Sequence, residues 1–210
     1  KEIIDNNYYY VDKTELIKEV INGGKVILIT RPRRFGKTLN QSTLKYFFEK
    51  SDKDTSYLYK DKKIWRDKNY RKYQGKYPVI YLSLKDIQGS SYEESYKKIK
   101  SLISNEYIKH KYVMESMSED ISRRIYQDII DRKADVTDYQ DSLKELAKHL
   151  ANYHGENTVI LIDEYDTPIL ESYQNGYYQE FIKFFKLFLG SALKDRTFLE
   201  KGVITGITKV

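Results

Sequence analysis

Apolar residues are grouped along the chain in short continuous runs, and these runs alternate with stretches of helical periodicity. The runs KVILIT at residues 25–30, YPVIYLSL at 77–84, TVILI at 158–162 and GVITGI at 202–207 are strand-sized and rich in β-branched residues. Continuous apolar runs are typical of strands that are buried on both faces of a sheet. Strands that alternate with helical segments predict parallel β-α units, and therefore an α/β fold in three layers.

Helices are predicted where apolar residues recur every three or four positions. Asp12 and Glu15 have capping-box spacing at the start of the first of them. A mostly helical stretch with one break covers residues 92 to about 132, and a further helix covers about 139 to 153 and ends at Gly155.

A cap and a proline mark the start of the helix predicted after the third strand. Asp166 has the position of a helix cap, and Pro168 that of a first helical residue.

Residues 51–76 are polar and tyrosine-rich, and we expect irregular or short helical structure there. A helical stripe near the end of the chain indicates core packing rather than a partner surface; its members are Phe181, Phe184, Phe185 and Phe188.

Composition narrows the class of protein. A chain of 210 residues is long enough for one full-size core, and no apolar run approaches the roughly 20 residues that a membrane span needs. Cysteine is absent, which excludes disulfides and thiolate metal sites and fits a reducing cytoplasm, where we expect the protein. The net charge of +6 permits an anionic partner, but the charges are mostly interspersed.

The segment RPRRFGKT at residues 31–38 follows a predicted strand and precedes a predicted helix, which is the context of a phosphate-binding loop. Gly36 lets backbone N–H groups approach a phosphate, and Lys37 would neutralise β/γ-phosphate oxygens. Thr38 would give its hydroxyl to Mg²⁺. Arg31 replaces the usual first glycine. Because proline follows it, Arg31 is expected to be extended, so that the bend falls nearer Gly36.

The run at 158–162 ends in Asp163 and Glu164. Carboxyl ends of parallel strands share one crevice, so Asp163 can reach a Mg²⁺ near Thr38, and Glu164 is placed to deprotonate an attacking water. The alternative is an ordinary strand end with solvated acids. Two further arginines, Arg33 and Arg34, could contact phosphate or face solvent or a partner.

The segments YYYVDKT, LITRPRRFGKT, LIDEYDTPI and GVITGI, in this order, resemble the bacterial AAA-ATPase-like proteins. These are P-loop ATPases related to the archaeal-type and STAND ATPases, and the resemblance covers essentially residues 1–210, as one domain. The loop RPRRFGKT is usual in that family, so Arg31 is not a departure from it. The resemblance implies an ASCE-type sheet in which the first strand lies between the fourth and a fifth. We expect the fifth strand, and a C-terminal domain similar to PD-(D/E)XK nucleases, beyond Val210.

The resemblance also implies roles for residues. Lys37 and Thr38 match the Walker A lysine and hydroxyl, Asp163 the Walker B metal acid, Glu164 the catalytic glutamate and Thr205 a sensor-type polar residue. Residues expected to bind ATP are Arg33, Arg34, Phe35, Gly36, Lys37, Thr38 and Leu39, with Tyr10 and Val11 near the base. The resemblance assigns no arginine finger; Arg196, shortly before the fourth predicted strand, is a candidate by position alone.

The leading functional prediction is Mg²⁺-dependent ATP hydrolysis that drives a conformational change. By resemblance, a nuclease-like domain would carry the output to nucleic acid, and a homo-oligomer is a further possible partner state. A slowly hydrolysing assembly or sensing switch is the first alternative. A P-loop kinase or GTPase is the second, disfavoured by the Asp-Glu pair and by the lack of a complete guanine-recognition motif.

Overall fold

One parallel sheet organises the chain. The structure is a computed structural model that describes residues 1–194 and 197–208. Across that part of the chain the sheet consists of β1 (Val26–Thr30), β2 (Val79–Ser83), β3 (Thr158–Asp163) and β4 (Leu199–Gly206). Their spatial order is β1-β4-β3-β2 and every neighbouring pair is parallel. The predicted α/β fold is confirmed, with the first strand next to the fourth.

Helices connect the strands, as crossovers between parallel neighbours require. They are α1 (Glu2–Asp5), α2 (Leu16–Asn22), α3 (Lys37–Phe48), α4 (Lys63–Arg66), α5 (Lys68–Arg71), α6 (Tyr92–Lys109), α7 (Asp120–Ile130), α8 (Val136–His154), α9 (Thr167–Gln174) and α10 (Tyr178–Lys194). Short 3₁₀ turns cover Ser56–Leu58 and Lys111–Ser116. The second turn is the break expected in the long helical stretch. Residues 51–76 contain only short helices, as predicted.

Two apolar cores, one on each face of the sheet, produce the three layers. Ile80, Ile160 and Ile162 contribute to the first core, which is shared with α6 to α10. Val159 and Leu161 face the second, which is shared with α2, α3 and α4. This alternation along β3 leaves every residue of the strand buried. The phenylalanine stripe of α10 lies in the first core, so its assignment to core packing is confirmed.

The prediction that β1 is buried on both faces is wrong. Ile27 and Ile29 pack against the second core, but the alternate side chains Val26 and Leu28 are 37% and 39% exposed. The reason is topological: among the described strands β1 is at the edge of the sheet, and its apolar run cannot show whether an element covers its other face. The fifth strand beside it stays a prediction, because it was placed beyond Val210.

Two helix caps expected from sequence are not formed. Asp12 Oδ1 accepts from the backbone N (2.9 Å) and hydroxyl (2.7 Å) of Thr14, and α2 begins only at residue 16. Its other oxygen accepts from Lys63 N at 2.8 Å. Asp166 precedes α9 but its side chain does not cap that helix. In contrast, Gly155 ends α8 in the left-handed conformation, with φ of 69°, as predicted.

Candidate active site

The loop between β1 and α3 bends where the sequence indicates. The Arg31 backbone N donates to Gly206 O at 3.1 Å, which continues the pairing with β4 past the end of β1. The chain then turns through Arg34 and Gly36, whose φ angles are 68° and 77°. Helix α3 begins at Lys37, so its unpaired N–H groups and positive dipole end face the space in front of the loop.

A crevice of about 690 Å³ opens in front of this helix end. Glu164 lines it from the end of β3, and Lys85 and Gln88 line it from the segment after β2. The phosphate-binding loop lines it with Arg33, Arg34, Gly36, Lys37, Thr38 and Leu39. The carboxyl ends of parallel strands thus bring the predicted loop and the predicted base into one cavity, as is usual for ligand sites in α/β sheets.

Lys37 is held inside the loop rather than in solvent. Lys37 as a whole residue is 8% exposed, and its Nζ donates to the carbonyl oxygens of Arg31 (2.8 Å) and Pro32 (2.9 Å). Both acceptors are neutral, so the ammonium charge is hydrogen-bonded but not neutralised by them. A phosphate oxygen would supply the missing negative charge.

Asp163 and Thr205 form a buried pair at the ends of β3 and β4. Each residue is 1% exposed, and the Thr205 hydroxyl donates to Asp163 Oδ1. The register pairs Ile162 with Ile204, so the next residues of the two strands are neighbours. The bond holds one carboxylate oxygen of Asp163 against the end of β4.

Glu164 lies just beyond β3 and does not continue the alternation of that strand. The strand ends at Asp163, and Glu164 has a left-handed backbone with φ of 56°. Such a conformation costs about 1 to 3 kcal/mol for a residue with a side chain, and strain of this kind is concentrated at functional sites. The turn directs the glutamate into the crevice. Burial, together with the nearby carboxylates of Asp163 and Glu164, raises the pKa of Tyr81 on β2 to about 12.

Sequence reasoning missed Gln41, which is completely buried beneath the Asp163–Thr205 pair. Its Nε2 donates to the carbonyl oxygens of Ile162 (3.1 Å) and Val203 (3.0 Å). Helix α3 is thereby fastened to both central strands, one turn after Lys37. The available signal was its spacing, because Gln41 is a polar residue at a core-facing position of an apolar helical stripe.

Replacing Gln41 with methionine should lower the free energy of unfolding by about 1 to 3 kcal/mol, because two buried hydrogen bonds of about 0.5 to 1.5 kcal/mol each are lost. Urea denaturation followed by circular dichroism measures the change. The matched control is Gln179→Met, at an exposed position of α10, which should shift stability by less than about 0.5 kcal/mol. Equal stabilities of the two variants would show that the Gln41 bonds are not structural.

Asp166 is a second residue whose role only the structure reveals. It is 1% exposed, and its Oδ2 accepts from Ile207 N (2.7 Å), Thr208 N (2.8 Å) and Thr208 Oγ1 (3.0 Å). A Cβ added at Gly206 would lie 2.6 Å from the Tyr165 ring and 2.8 Å from Asp166 Oδ1. The segment after β3 is therefore clamped tightly onto the end of β4, which supports the position of Glu164.

The other residues expected to bind ATP, which are Tyr10 and Val11 near the base and Phe35 of the loop, are more dispersed. Tyr10 lines a small pocket of about 30 Å³ with Leu39 and Thr43, and burial raises the pKa of Tyr10. Val11 is 56% exposed. Phe35 is 59% exposed and lines a different groove, of about 370 Å³, beside β1. Arg196 lies outside the described residues.

Within residues 1–194 and 197–208, no three His, Cys, Asp or Glu side chains are grouped so that they could hold a metal ion. No helix in these ranges combines the length and the apolar character that crossing a bilayer requires.

Comparison with known proteins agrees with this architecture. An uncharacterized protein in the vnfD 5' region of Azotobacter chroococcum mcd 1 is 27% identical over 167 residues, which are 80% of this chain and 27% of that protein. The match therefore spans about a quarter of the relative's length. No solved structure matches significantly. The sequence model of one family, described as predicted AAA-ATPase, matches residues 1–210. The chain therefore belongs to the predicted AAA-ATPase family.

Proposed function

We propose that the crevice binds ATP with Mg²⁺ and hydrolyses it. The observation that carries the proposal is the shared lining of the crevice by Lys37, Thr38 and Glu164, with the Asp163–Thr205 pair at the ends of the adjacent strands. Family membership supports nucleotide-dependent ATPase chemistry in general. The geometry supplies residues for each part of that chemistry: phosphate binding, metal binding and activation of water.

Binding of the triphosphate rests on the loop and the first turn of α3. The backbone N–H groups there and the Lys37 ammonium contact phosphate oxygens, while Arg33 and Arg34 line the same crevice as additional cations. The Thr38 hydroxyl and the Asp163 carboxylate suit Mg²⁺, which takes one or two protein oxygens and completes its shell with phosphates and waters. A cluster of three acidic ligands is not needed for such a site. When bound, Mg²⁺ neutralises charge on the β- and γ-phosphates.

Hydrolysis requires a base near the γ-phosphate. Glu164 lines the crevice opposite the loop, and its carboxylate accepts the proton of the attacking water. Thr205 positions Asp163 through the hydrogen bond to Oδ1 and so connects that carboxylate to β4. The left-handed backbone of Glu164 is consistent with selection for side-chain placement rather than for stability.

The space at Tyr10, about 30 Å³, is too small for a purine. Contact of Tyr10 and Val11 with the base stays a prediction.

Nucleotide binding changes the loop in this proposal. Lys37 must exchange the carbonyls of Arg31 and Pro32 for phosphate oxygens, which frees the start of the loop to move. This exchange of Lys37 partners fits a conformational cycle driven by hydrolysis and also a slowly hydrolysing switch. A nuclease-like output domain, nucleic acid as its substrate and a homo-oligomer remain parts of the proposal.

Calorimetry of the full-length protein with ATP and GTP, with and without Mg²⁺, tests binding, and phosphate release with and without DNA tests turnover. We expect Mg²⁺-dependent ATP binding and release of phosphate. ATP binding without turnover under all of these conditions would favour the switch. Tighter binding of GTP than of ATP would contradict the proposal.

A further inference from the structure

The net positive charge of the chain falls in one segment, although charges of both signs are interspersed along the rest of the sequence. Residues 59–77, here called the basic segment, contain eight lysines and arginines and two aspartates. Their net charge of +6 equals the formal net charge of the whole chain, so the remaining residues balance one another. The same 19 residues hold five aromatic side chains: Tyr59, Trp65, Tyr70, Tyr73 and Tyr77.

The fold directs the cations of the basic segment outward. Ile64 is 1% exposed, and Trp65, Tyr70 and Tyr73 pack against the second core from α4, α5 and the turn that follows. The inward side of the segment is therefore apolar. The positive residues exposed on its outer side are Lys60, Lys63, Arg66, Lys68, Arg71 and Lys72.

Acidic neighbours neutralise only part of this charge. Glu15 approaches Lys63 at 3.9 Å and Glu156 approaches Lys76 at 3.5 Å, so these two lysines have acidic partners. Asp67 approaches Lys18, which lies on α2, at 3.9 Å. Over the described ranges no carboxylate pairs with Arg66 or Lys68. The segment therefore presents a surface of net positive charge.

Three classes of partner carry enough negative charge, and two fit poorly. Membrane-surface segments insert exposed apolar side chains, but here the large apolar residues of the segment are turned toward the core. Protein interfaces are depleted in lysine at their centres, and six of the eight cations are lysines. Nucleic acid fits, because lysine and arginine neutralise backbone phosphates without needing an apolar contact.

We propose that the basic segment is a docking surface for the phosphate backbone of nucleic acid, bound without sequence preference. This surface belongs to the chain itself and does not depend on ATP hydrolysis or on a downstream domain. Phosphate contacts of this kind position a protein on nucleic acid but do not read its bases.

The basic segment is also attached to the helix that begins the active site. Gly75 N donates to Phe47 O at 2.8 Å, and Tyr77 N donates to Phe48 O at 2.9 Å, both at the end of α3. Tyr59 OH donates to Thr43 O at 2.7 Å, in the middle of the same helix. Nucleic acid on the segment and nucleotide at Lys37 would thus act on two parts of one helix.

The test compares two triple charge reversals of equal net charge. One combines Lys60→Glu, Arg66→Glu and Lys68→Glu in the basic segment. The control combines Lys97→Glu, Lys183→Glu and Lys186→Glu, all at exposed positions of α6 and α10. The probe is a short fluorescent DNA oligonucleotide of mixed sequence, single-stranded or duplex, and anisotropy is measured without nucleotide.

For the wild-type protein we expect affinity to fall about a hundredfold between about 50 and 200 mM salt, as for roughly four phosphate contacts. The segment variant should bind at least about tenfold more weakly at the lower salt and show a shallower salt dependence. The DNA affinity of the control should stay within about threefold of wild type, because its reversed charges lie away from the basic segment.

Unchanged binding by the segment variant, or an equal loss in both variants, would overturn the proposal. So would retention on phosphatidylserine vesicles, or binding to polyglutamate, under conditions in which the DNA is not bound. Circular dichroism melting checks that the variants fold. If the triple reversal unfolds, Lys60→Gln with Lys68→Gln should still weaken DNA binding by about threefold or more, and no loss in that pair would also overturn it.

Discussion

Replacing Glu164 with glutamine should leave ATP binding intact and slow hydrolysis by about 10²- to 10⁴-fold, the usual contribution of a general base. Glutamine keeps the shape of the side chain and its place in the crevice, but it cannot accept a proton from water. The variant should accumulate in the ATP-bound state. Calorimetry measures binding, and phosphate release by the full-length protein measures turnover.

Two further variants interpret that result. Glu180→Gln removes an exposed carboxylate of α10 and should hydrolyse ATP within about twofold of wild type, because surface changes away from a site have small effects. Glu164→Gly should abolish base catalysis and yet melt no lower than wild type, because glycine adopts φ of 56° without strain. Hydrolysis by Glu164→Gln at the wild-type rate would show that another group is the base.

Replacing Lys37 with alanine should weaken ATP binding about 10- to 100-fold, since a hydrogen bond to a charged group is worth about 1.5 to 3 kcal/mol. The present partners of Lys37, the carbonyls of Arg31 and Pro32, lie on exposed residues where water replaces the lost donor. We therefore expect little loss of stability. Calorimetry with ATP and Mg²⁺, beside a thermal melt, separates the two effects.

Lys45→Ala is the matched control for Lys37. Lys45 is on the same helix and pairs with Glu49 at 3.8 Å, two turns beyond the loop. Its loss removes the same charge and a similar side chain, so ATP affinity should change by less than about threefold. Equal ATP affinities of wild type and Lys37→Ala would exclude the loop as the phosphate site.

Local signals were sufficient for the elements that are governed by neighbouring residues. The apolar runs are strands because a β-branched run of that length is buried most easily in a sheet. The bend at Arg34 and Gly36 follows from Pro32, which keeps the preceding residue extended, and from glycine, which accepts a positive φ. The phenylalanine stripe of α10 lies in the core because four aromatic rings on one helix face offer a large apolar area for burial.

Three predictions failed, namely the two helix caps and the burial of both faces of β1, because each depends on parts of the chain that the local pattern does not describe. Lys63 N, a distant donor, holds Asp12 Oδ2 while the nearby Thr14 holds Oδ1, and the distant amides of residues 207 and 208 hold Asp166 Oδ2, so neither aspartate caps its helix. A capping pattern describes four residues and carries no information about donors many residues away. The exposed side of β1 has a different origin: an apolar run does not reveal the position of a strand in its sheet, and β1 lies at the edge of the described strands.

The roles of Lys37, Thr38, Asp163 and Glu164 follow from motif and spacing, and they stay predictions. Only the tertiary structure shows how these residues meet. Thr205 reaches Asp163 across 42 residues because β4 pairs with β3, and Gln41 is buried because α3 crosses both strands. Strand order and helix packing are set by contacts between remote parts of the chain, which local propensity does not encode. The direction of Glu164 likewise depends on the clamp between Asp166 and the end of β4, which over-determines a backbone that the residue would not adopt alone.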